Sequence, residues 1–232
     1  RSVDVVFNAT HGQFGEDGSL QQILDSFAIP YTGSGATASL HGMNKFLAKT
    51  AFKTSGLHTP AFAVVDREED LNAAAVSIYK KIAPPYVVKP VSAGSSVGVS
   101  IVSDFHHLAS AIEFAAKFSP KVLVEEYIKG KEVTVGIIDN FRNQKTYALP
   151  VVEIIPESRH KFFDYEAKYN GATREVCPAN INIETKRRLE EAARAAHQSI
   201  GARHYSRTDM IITPRGKIYV LEINTLPGLT ED

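Results

Sequence analysis

Near the C-terminal end of the sequence, oxygen-bearing side chains recur at a spacing that suits a metal ion. Glu222 and Asn224 stand two residues apart in an apolar segment, and side chains two apart along a β-strand point to the same face. Asp209 lies in a second apolar segment just upstream. If Arg215 and Gly216 form a two-residue hairpin loop between the segments, Asp209 lies directly opposite Glu222 on that same face.

Two carboxylates this close repel each other unless a cation lies between them. Carboxylate and amide oxygens, with no His or Cys among them, suit a hard ion such as Mg²⁺, which proteins bind through one or two carboxylates together with substrate phosphates. The sequence thus predicts that Asp209, Glu222 and Asn224 are metal ligands. A polar, solvated edge on an ordinary hairpin is the alternative interpretation of the same pattern.

A Gly- and Ser-rich loop between two short apolar strands forms a second candidate site. Backbone N–H groups and hydroxyls, here those of Ser95 and Ser96, are the groups with which proteins bind phosphate oxygens. The loop is not a P-loop, because no Gly-Lys-Ser/Thr sequence closes it. We expect a flap over phosphates, with Lys89 and Lys45 neutralising their charge. A hairpin that binds no ligand is the alternative.

Two further segments have a composition suited to a small ligand. Three glycines, His11, Glu16 and Asp17 fall in one short loop, which suggests backbone that bends tightly beside a polar ligand, or else a plain strand-to-helix turn. Farther on, acidic residues flank a break at 129–131 between two strands. These acids could supply hydrogen-bond acceptors to a nucleoside, although an ordinary hairpin would also explain them.

The elements that position these groups follow from the periodicity of apolar residues. The predicted helices run approximately over 20–27, 38–55, 66–82, 104–118 and 183–200. The predicted strands run approximately over 3–7, 59–65, 86–90, 99–102, 122–128, 132–138, 147–155, 208–213 and 218–224. Lys45 and Lys49 fall near the middle of the second helix, where a lysine ordinarily lies on a solvated face.

Composition excludes several classes of function. A length of 232 residues suits one or two domains with a real core. The 26 basic and 26 acidic residues balance, so the net charge does not favour a binder of nucleic acid or of membrane surfaces. A single cysteine, Cys177, excludes an internal disulfide framework and fits a reducing, cytoplasmic location. No apolar run approaches the roughly 20 residues that span a bilayer, and no signal peptide is visible.

Taken in order, the motifs resemble those of D-alanine–D-alanine ligases, a family of the ATP-grasp superfamily. Any one motif is weak, whereas all of them in this order are highly specific. The matching stretches are HG (11–12) with GEDG (15–18), IPYTGSG (29–35), VKP (88–90) with GSSVG (94–98), EEYI (125–128) with Glu132, DYEAKY (164–169), CPA (177–179), Arg207 with Asp209, and LEINT (221–225) with PG (227–228).

The resemblance implies an α/β (α+β) fold, namely an ATP-grasp fold preceded by a partial Rossmann-like N-terminal domain. It divides the chain into a partial N-terminal substrate domain (1–34), an ATP-grasp subdomain with the phosphate flap (35–125), and a C-terminal subdomain with the metal site (126–232), truncated at its end. The implied activity is ATP-dependent ligation of two D-alanines through an acylphosphate, for peptidoglycan precursor synthesis.

Individual residues acquire roles from the same resemblance. ATP would contact Lys45, Lys89, Ser95, Ser96, Glu125, Glu126, Ile128, Glu132 and Lys168. Asp209, Glu222 and Asn224 would hold two Mg²⁺ ions, for which Mn²⁺ is a substitute. D-Alanine and the reacting centre would meet His11, Glu16, Tyr169, Arg207 and Gly228. Arg207 and the backbone N–H of Gly228 would stabilise the tetrahedral centre, Ser95 would cover the γ-phosphate, and Tyr169 looks like the residue of dipeptide-forming members.

The sequence also departs from the family pattern. Family members begin with a strand and a Gly-rich loop whose Glu binds the amino group of the first D-alanine, and nothing before Arg1 supplies it. They also have a Ser shortly after the stretch that corresponds to 227–230, whereas this sequence stops at Asp232. We therefore expect an incomplete substrate domain beside a complete ATP and metal apparatus.

Several interpretations of function stay open. One is an ATP-grasp carboxylate–amine ligase for another substrate. Another is an ATP- and Mg²⁺-binding fragment without ligase activity, and a third is a structural or interaction protein in which the motifs are coincidental. The expected partners are the small molecules D-alanine and ATP, with no nucleic acid and no membrane, and a homodimer is not decided by the sequence.

Overall fold

The computed structural model describes residues 3–92, 97–156 and 173–228. Its helices are α1 Ser19–Ser26, α2 Ala36–Met43, α3 Lys45–Thr54, α4 Leu71–Tyr79, α5 Leu108–Ala115 and α6 Ile183–Ser199. Its strands are β1 Phe62–Asp66, β2 Tyr86–Pro90, β3 Ser100–Val102, β4 Lys121–Glu126, β5 Lys131–Phe141, β6 Gln144–Ala148, β7 Val152–Pro156, β8 Thr173–Val176, β9 Tyr205–Ile212 and β10 Ile218–Asn224. Helices and antiparallel sheets thus share the chain, as the predicted α/β (α+β) class requires.

A four-stranded antiparallel sheet occupies the first half of the chain, in the order β1-β4-β2-β3. The helices α4 and α5 pack against it, and the buried side chains of this core include Val65, Ile78, Tyr86 and Ile112. Four consecutive residues of β4 are buried. Because successive side chains of a strand point to opposite faces, both faces of this sheet are covered at β4.

A six-stranded antiparallel sheet contains the predicted metal ligands. Its order is β10-β9-β5-β7-β8, and β6 pairs with the far end of β5. The helices α3 and α6 cover one face, where Phe52, Leu189 and Met210 are buried. Burial alternates along β9, so that Arg207 and Asp209 are half-buried between fully buried neighbours. These two side chains therefore lie on the opposite, polar face of the sheet.

The chain passes from one sheet to the other at residues 127–130, between β4 and β5. This arrangement confirms the predicted strand, break and strand. Gly130 is required at the crossing, because a Cβ atom there would collide with the backbone carbonyl of Ile212. The two sheets are consequently joined by a short connection that runs beside β9.

The N-terminal part contains two extended segments connected through α1. The Val6 N–H donates to the carbonyl of Pro30 at 2.8 Å, and the Thr32 N–H donates to the carbonyl of Val6 at 3.0 Å. The pairing is parallel, as in the βαβ units that Rossmann-like domains repeat. The predicted strand 3–7 is reduced to this isolated bridge, because the segment has a single paired neighbour in the described part of the chain.

The predicted helix 38–55 is wrong in one respect, since two helices cover this region. Asn44 separates α2 from α3, with extended backbone angles of φ −91° and ψ 101°. Its side-chain oxygen accepts hydrogen bonds from the backbone N–H groups of Phe46 and Leu47, both at 3.1 Å. Asn is a preferred N-cap residue because it satisfies these otherwise unpaired donors. Lys45 thereby becomes the first residue of a helix.

Two other predicted elements begin or divide elsewhere. The predicted helix 66–82 starts only at α4, because Asp70 caps it by accepting hydrogen bonds from two backbone N–H groups. The predicted strand 147–155 is two strands, β6 and β7. Pro150 lies between them, and proline has no N–H group with which to continue a ladder.

The helix α6 agrees with the predicted helix 183–200. Asn182 caps its start, where the side chain accepts a hydrogen bond from the N–H of Thr185 at 2.8 Å. Leu189 and Ala193 face the core, and charged residues occupy the outer face. Neither α6 nor any other helix among the described residues combines the length and apolar character of a membrane span.

Candidate active site

The hairpin of β9 and β10 brings the predicted metal ligands together by a different route from the one predicted. Its loop has three residues rather than two, because the Thr213 N–H donates to the carbonyl of Lys217 at 2.9 Å. A β-bulge just before Glu222 then shifts the register by one residue. The two differences compensate, and Asp209 lies opposite Glu222 as predicted.

Asp209 is held by side chains from its own strand and from β5. Arg207 Nε lies 3.1 Å from Asp209 Oδ1, and Arg207 Nη2 lies 3.3 Å from Oδ2. The Thr134 hydroxyl donates to Oδ1 at 2.7 Å. Burial opposes the charged form of Arg207, but attraction to Asp209 and Glu222 outweighs it and raises the pKa of Arg207. The guanidinium is therefore a permanent positive charge on the polar face.

Glu222 and Asn224 extend this site along β10. Lys45 Nζ lies 3.9 Å from Glu222 Oε2, and 42% of the Glu222 side chain is exposed, so the carboxylate is accessible to a ligand. Asn224 pairs across the ladder with Arg207 and thus shares the polar face. The side-chain oxygen of Asn224 accepts a hydrogen bond from the N–H of Leu226 at 2.8 Å, which fixes the amide.

The oxygen atoms on this face have the chemistry of a hard-cation site. A carboxylate offers about four acceptor positions, so the contacts of Asp209 with Arg207 and Thr134 leave positions for an ion. In the described ranges, no three His, Cys, Asp or Glu side chains come together as a metal site. Two carboxylates and one amide would therefore leave the remaining coordination positions to phosphate oxygens and water, as is usual for Mg²⁺.

Three charged side chains form a buried chain of ion pairs beside the hairpin. Lys49 Nζ lies 2.8 Å from Glu125 Oε1, and Lys89 Nζ lies 3.0 Å from Glu125 Oε2. The side chain of Lys49 is 0% exposed, so the expectation of a solvated lysine at this position is wrong. The physical reason is that Lys49 lies one turn after Lys45, on the face of α3 that meets the charged residues.

The pKa values of these three residues show how burial and neighbouring charges balance at each of them. Burial lowers the pKa of Lys49 to about 8, although Glu125 limits the fall. Burial alone would raise the pKa of Glu125, but Lys89 and Lys49 outweigh it and hold the pKa below its usual value. Burial likewise opposes the charge of Lys89, yet Glu125 and Glu222 raise its pKa. Glu125 is thus an anion that supports two neighbouring ammonium groups.

The other residues predicted to contact the nucleoside lie around the crossing between the sheets. Glu126 Oε1 accepts a hydrogen bond from the backbone N–H of Ala61 at 3.0 Å. Ile128 is half-buried directly after β4. Glu132 is half-buried in β5 and two residues from Thr134, so both side chains point to the polar face. The structure therefore places Glu132 on the same surface as Asp209.

The His11 loop reaches the end of the β9–β10 hairpin. His11 Nδ1 lies 3.0 Å from the carbonyl of Leu226 and 3.9 Å from Glu16 Oε1. Glu16 Oε2 accepts a hydrogen bond from the N–H of Gly12 at 2.6 Å. Burial raises the pKa of Glu16, while this hydrogen bond and the charges of His11 and Arg207 oppose the rise. Gly228, exposed two residues after Leu226, ends the described chain nearby.

Four predicted site residues lie outside the described residues. They are Ser95 and Ser96 of the predicted flap, and Lys168 and Tyr169 of the segment predicted to close over the site. Their predicted roles stay predictions.

Two residues of the site were missed by sequence reasoning. Lys49 could have been found from its spacing, because residues four apart on a helix lie on one face and Lys45 was already a candidate. Thr134 gave no such signal, since a threonine in a strand is ordinary. Its contact with Asp209 depends on the pairing of β5 with β9, which the order of elements alone does not reveal.

Two family models match the chain. The model described as D-ala D-ala ligase N-terminus matches residues 1–34, and the model described as D-ala D-ala ligase C-terminus matches residues 51–232. The chain belongs to the D-alanine–D-alanine ligase family. The resemblance inferred from the motifs is thereby confirmed.

Curated relatives in this family are similar over nearly the whole chain. The D-alanine–D-alanine ligase of Syntrophobacter fumaroxidans is 43% identical over 231 residues, which are 98% of this chain and 72% of that protein. The corresponding ligase of Pelobacter propionicus is 44% identical over 232 residues, 98% of this chain and 70% of that protein.

Solved structures confirm the ATP-grasp fold of the family. The VanG D-Ala:D-Ser ligase from Enterococcus faecalis superposes with a TM-score of 0.87 at 32% identity, covering 99% of this chain and 66% of that one. The D-alanine–D-alanine ligase from Bacillus anthracis complexed with ATP gives a TM-score of 0.81 at 34% identity, covering 99% of this chain and 70% of that one.

Proposed function

We propose that this chain binds ATP with Mg²⁺ on the polar face of the six-stranded sheet and joins two D-alanines to D-alanyl-D-alanine for peptidoglycan precursors. Membership of the ligase family supports the reaction. One observation carries the assignment of the site. Glu222 and Asp209 lie on adjacent strands of one hairpin, and each contacts a cation, Lys45 and Arg207 respectively. Cations and carboxylates of this kind suit a metal-bound polyphosphate.

The reaction proceeds in two transfers. A carboxylate oxygen of the first D-alanine attacks the γ-phosphorus of ATP, so that an acylphosphate forms and ADP leaves. The amine of the second D-alanine then attacks the carbonyl carbon, the C–O bond to phosphate breaks, and the amine loses a proton as inorganic phosphate departs. Positioning and charge stabilisation supply most of the catalysis in such phosphoryl transfers.

Several cations lie around the hairpin. Lys45, Lys89, Arg207 and Lys49 are cations, whereas Glu125, Asp209 and Glu222 are the anions that contact them. Such cations would attract an anionic ligand such as a nucleotide phosphate.

Asp209, Glu222 and Asn224 would hold Mg²⁺ or Mn²⁺ through their side-chain oxygens. A bound divalent ion draws negative charge from phosphate oxygens and thereby assists transfer of the phosphoryl group. Arg207, already oriented by Asp209, would stabilise the negative charge that develops on the tetrahedral centre, together with the backbone N–H of Gly228.

The nucleoside would lie where the chain crosses between the sheets. Glu126 and Ile128 flank the crossing, and Glu132 would accept hydrogen bonds from ribose hydroxyls. Glu125 would accept a hydrogen bond from the adenine amino group. A carboxylate has about four acceptor positions, so some stay available even when two lysines contact it. Lys89 would contact the phosphates, and Ser95 with Ser96 would cover them.

The first D-alanine would bind between the His11 loop and the end of β10. His11 contacts the carbonyl of Leu226 there, and the charge of Arg207 acts on Glu16. The first D-alanine would therefore lie on the same surface as the phosphates of ATP. Lys168 and Tyr169 would close over the bound substrates and exclude water. We place the enzyme in the cytoplasm, where ATP and D-alanine occur, and its oligomeric state, monomer or homodimer, is open to measurement.

A different second substrate is the main competing function. The similarity to a D-Ala:D-Ser ligase favours testing D-serine as acceptor beside D-alanine. Both reactions would use the same ATP and metal residues, because the first transfer is identical. The acceptor therefore distinguishes the two candidates, whereas nucleotide binding does not.

ADP release in the presence of ATP and Mg²⁺ tests the proposal. The amino acids to compare are D-alanine alone, L-alanine alone, and D-alanine with D-serine or D-lactate. We expect D-alanine alone to trigger release and L-alanine to give only the background rate. Asp209→Asn should reduce release at least tenfold, since it removes a charged metal ligand. Asp104→Asn, on an exposed turn before α5, is the matched control.

Two outcomes would contradict parts of this proposal. Stimulation only when D-serine is added would assign the chain to the D-Ala:D-Ser type. Nucleotide binding without release of ADP under any amino acid would support a nucleotide-binding module that has no ligase activity.

A further inference from the structure

Lys49 is fully buried although none of the reaction steps above uses it. Its side chain is 0% exposed, and a lysine is almost never fully buried unless its charge is paired. It belongs to α3, whose other buried residues, Ala48 and Phe52, enter the core of the six-stranded sheet. An ammonium group in such a place calls for a specific explanation.

Lys49 contacts Glu125, a residue assigned above to the nucleotide site. Its Nζ lies 2.8 Å from Glu125 Oε1 and 2.8 Å from the hydroxyl oxygen of Thr59, to which it donates a hydrogen bond. The second oxygen of Glu125 lies 3.0 Å from Lys89 Nζ. Each oxygen of the Glu125 carboxylate thus has its own lysine, and this fixes the plane of the carboxylate.

Lys89 is the most exposed of these three side chains. Its side chain is 10% exposed, compared with 2% for Glu125 and 0% for Lys49. The charge of Lys89 interacts with those of Lys45 and Glu222, and Lys45 itself contacts Glu222 in β10. A residue that holds Glu125 in place therefore also determines the position of the Lys89 ammonium group.

We propose that Lys49 is a positioning residue for nucleotide binding. It holds Glu125, and Glu125 holds the ammonium group of Lys89 at the place where the phosphates of the nucleotide bind. The inference rests on the proposed function in one respect, namely the assignment of Lys89 to those phosphates.

A purely structural role for Lys49 makes a different prediction. Lys49 also joins α3, which packs on the six-stranded sheet, to β4 of the four-stranded sheet. If that connection were its whole role, its loss would reduce the fraction of folded protein without changing the affinity of the folded molecules. A positioning role instead changes the affinity for nucleotide.

Calorimetric titration with ADP and Mg²⁺ distinguishes the two roles. We expect Lys49→Met, which keeps the length of the side chain without its charge, to weaken ADP binding roughly tenfold, as loss of a supporting contact does elsewhere. In steady-state assays the KM for ATP should rise and the KM for D-alanine should change less than about twofold. Lys53→Met, on the same helix and at an exposed position, is the matched control and should bind ADP as the unmutated chain does.

Comparison of Glu125→Gln with the double variant Glu125→Gln/Lys49→Met covers the case in which Lys49→Met alone does not fold. Glu125→Gln should weaken ADP binding, and adding Lys49→Met to it should cause no further loss, because Lys49 acts through Glu125. The double variant removes both charges of the buried Lys49–Glu125 pair, so neither of these two charges is left without the other. A further loss of ADP affinity in the double variant beyond that of Glu125→Gln, or an unchanged ADP affinity in folded Lys49→Met, would overturn the inference. Failure of the unmutated chain to bind ADP would instead overturn the proposed function and the inference with it.

Discussion

The carboxylate of Asp209 has its orientation set by side chains of two neighbouring strands. Arg207 approaches both of its oxygens from the same strand, and the Thr134 hydroxyl donates to Oδ1 from β5 at 2.7 Å. A ligand that is fixed before the ion binds loses less side-chain entropy on binding. If Asp209 binds the proposed metal ion, Thr134 therefore supports that ligand without touching the ion.

Removal of the Thr134 hydroxyl should weaken metal binding. Thr134→Val keeps the branched shape but leaves Asp209 without one hydrogen bond, so we expect the affinity for Mn²⁺ in the presence of ADP to fall roughly tenfold. Electron paramagnetic resonance of free Mn²⁺ measures this affinity. Thr134→Ser retains the hydroxyl and serves as the control. Equal Mn²⁺ affinity in the Val and Ser variants would show that Thr134 does not support Asp209.

His197 contributes a pH dependence to stability that is separate from the site. Its Nδ1 lies 2.8 Å from the Ser206 hydroxyl, and its Nε2 lies 3.4 Å from Asp139 Oδ2. Burial lowers the pKa of His197 below its ordinary 6.5, although Asp139 opposes this. The unfolded chain thus binds the proton at a higher pH than the folded chain. The stability contributed by His197 is complete above pH 6.5 and is lost as the pH falls through the folded pKa.

Replacing His197 should flatten the acid side of the stability profile. We expect the free energy of unfolding of the unmutated chain to fall more between pH 7.5 and pH 5.5 than that of His197→Gln. Urea titrations at the two pH values measure both. An equal or larger fall in the variant would mean that groups other than His197 govern this pH range.

Among the elements, α3 contributes two charged residues that contact the two sheets. Its first residue, Lys45, contacts Glu222 in β10, and one turn later Lys49 contacts Glu125 in β4. One helix of 10 residues therefore presents charge to both sheets. The Asn44 cap stabilises the start of α3, where Lys45 is the first residue.

Loss of the Asn44 cap should destabilise the chain measurably. Asn44→Ala removes the acceptor for two backbone N–H groups, so we expect the free energy of unfolding to fall by about 1 kcal/mol. Asn44→Asp keeps an acceptor, so its free energy of unfolding should lie within about 0.5 kcal/mol of that of the unmutated chain. Urea denaturation measures both. If the Ala variant matched the unmutated chain, the cap would have no energetic role.

The β9–β10 hairpin shows how far a strand can be predicted from its sequence. The alternation of side chains sufficed to place Glu222 and Asn224 on one face, because that alternation is a property of any extended backbone. The β-bulge before Glu222 could not be foreseen. It accompanies a contact from a distant part of the chain, where the Val220 N–H donates to the carbonyl of His58 at 2.8 Å.

For the molecule as a whole, the limit of prediction lies where the two sheets meet. The order of strands and helices and the ATP-grasp motifs were sufficient for the fold class, since each is local in sequence. The burial of Lys49 arises only when α3, β2 and β4 come together, and no periodicity in the sequence encodes that meeting. Charged residues that join separate elements are therefore the part of this site that the structure adds.

The central claim is that the β9–β10 hairpin holds the metal ion of a bound nucleotide. Titration of the chain with ADP in excess Mg²⁺, and again in EDTA, tests it most directly when Glu222→Gln is measured in parallel. We predict that the unmutated chain binds ADP at least tenfold more tightly with Mg²⁺, and that the variant loses most of this difference. Equal affinity with and without Mg²⁺, or an undiminished Mg²⁺ effect in Glu222→Gln, would contradict the assignment.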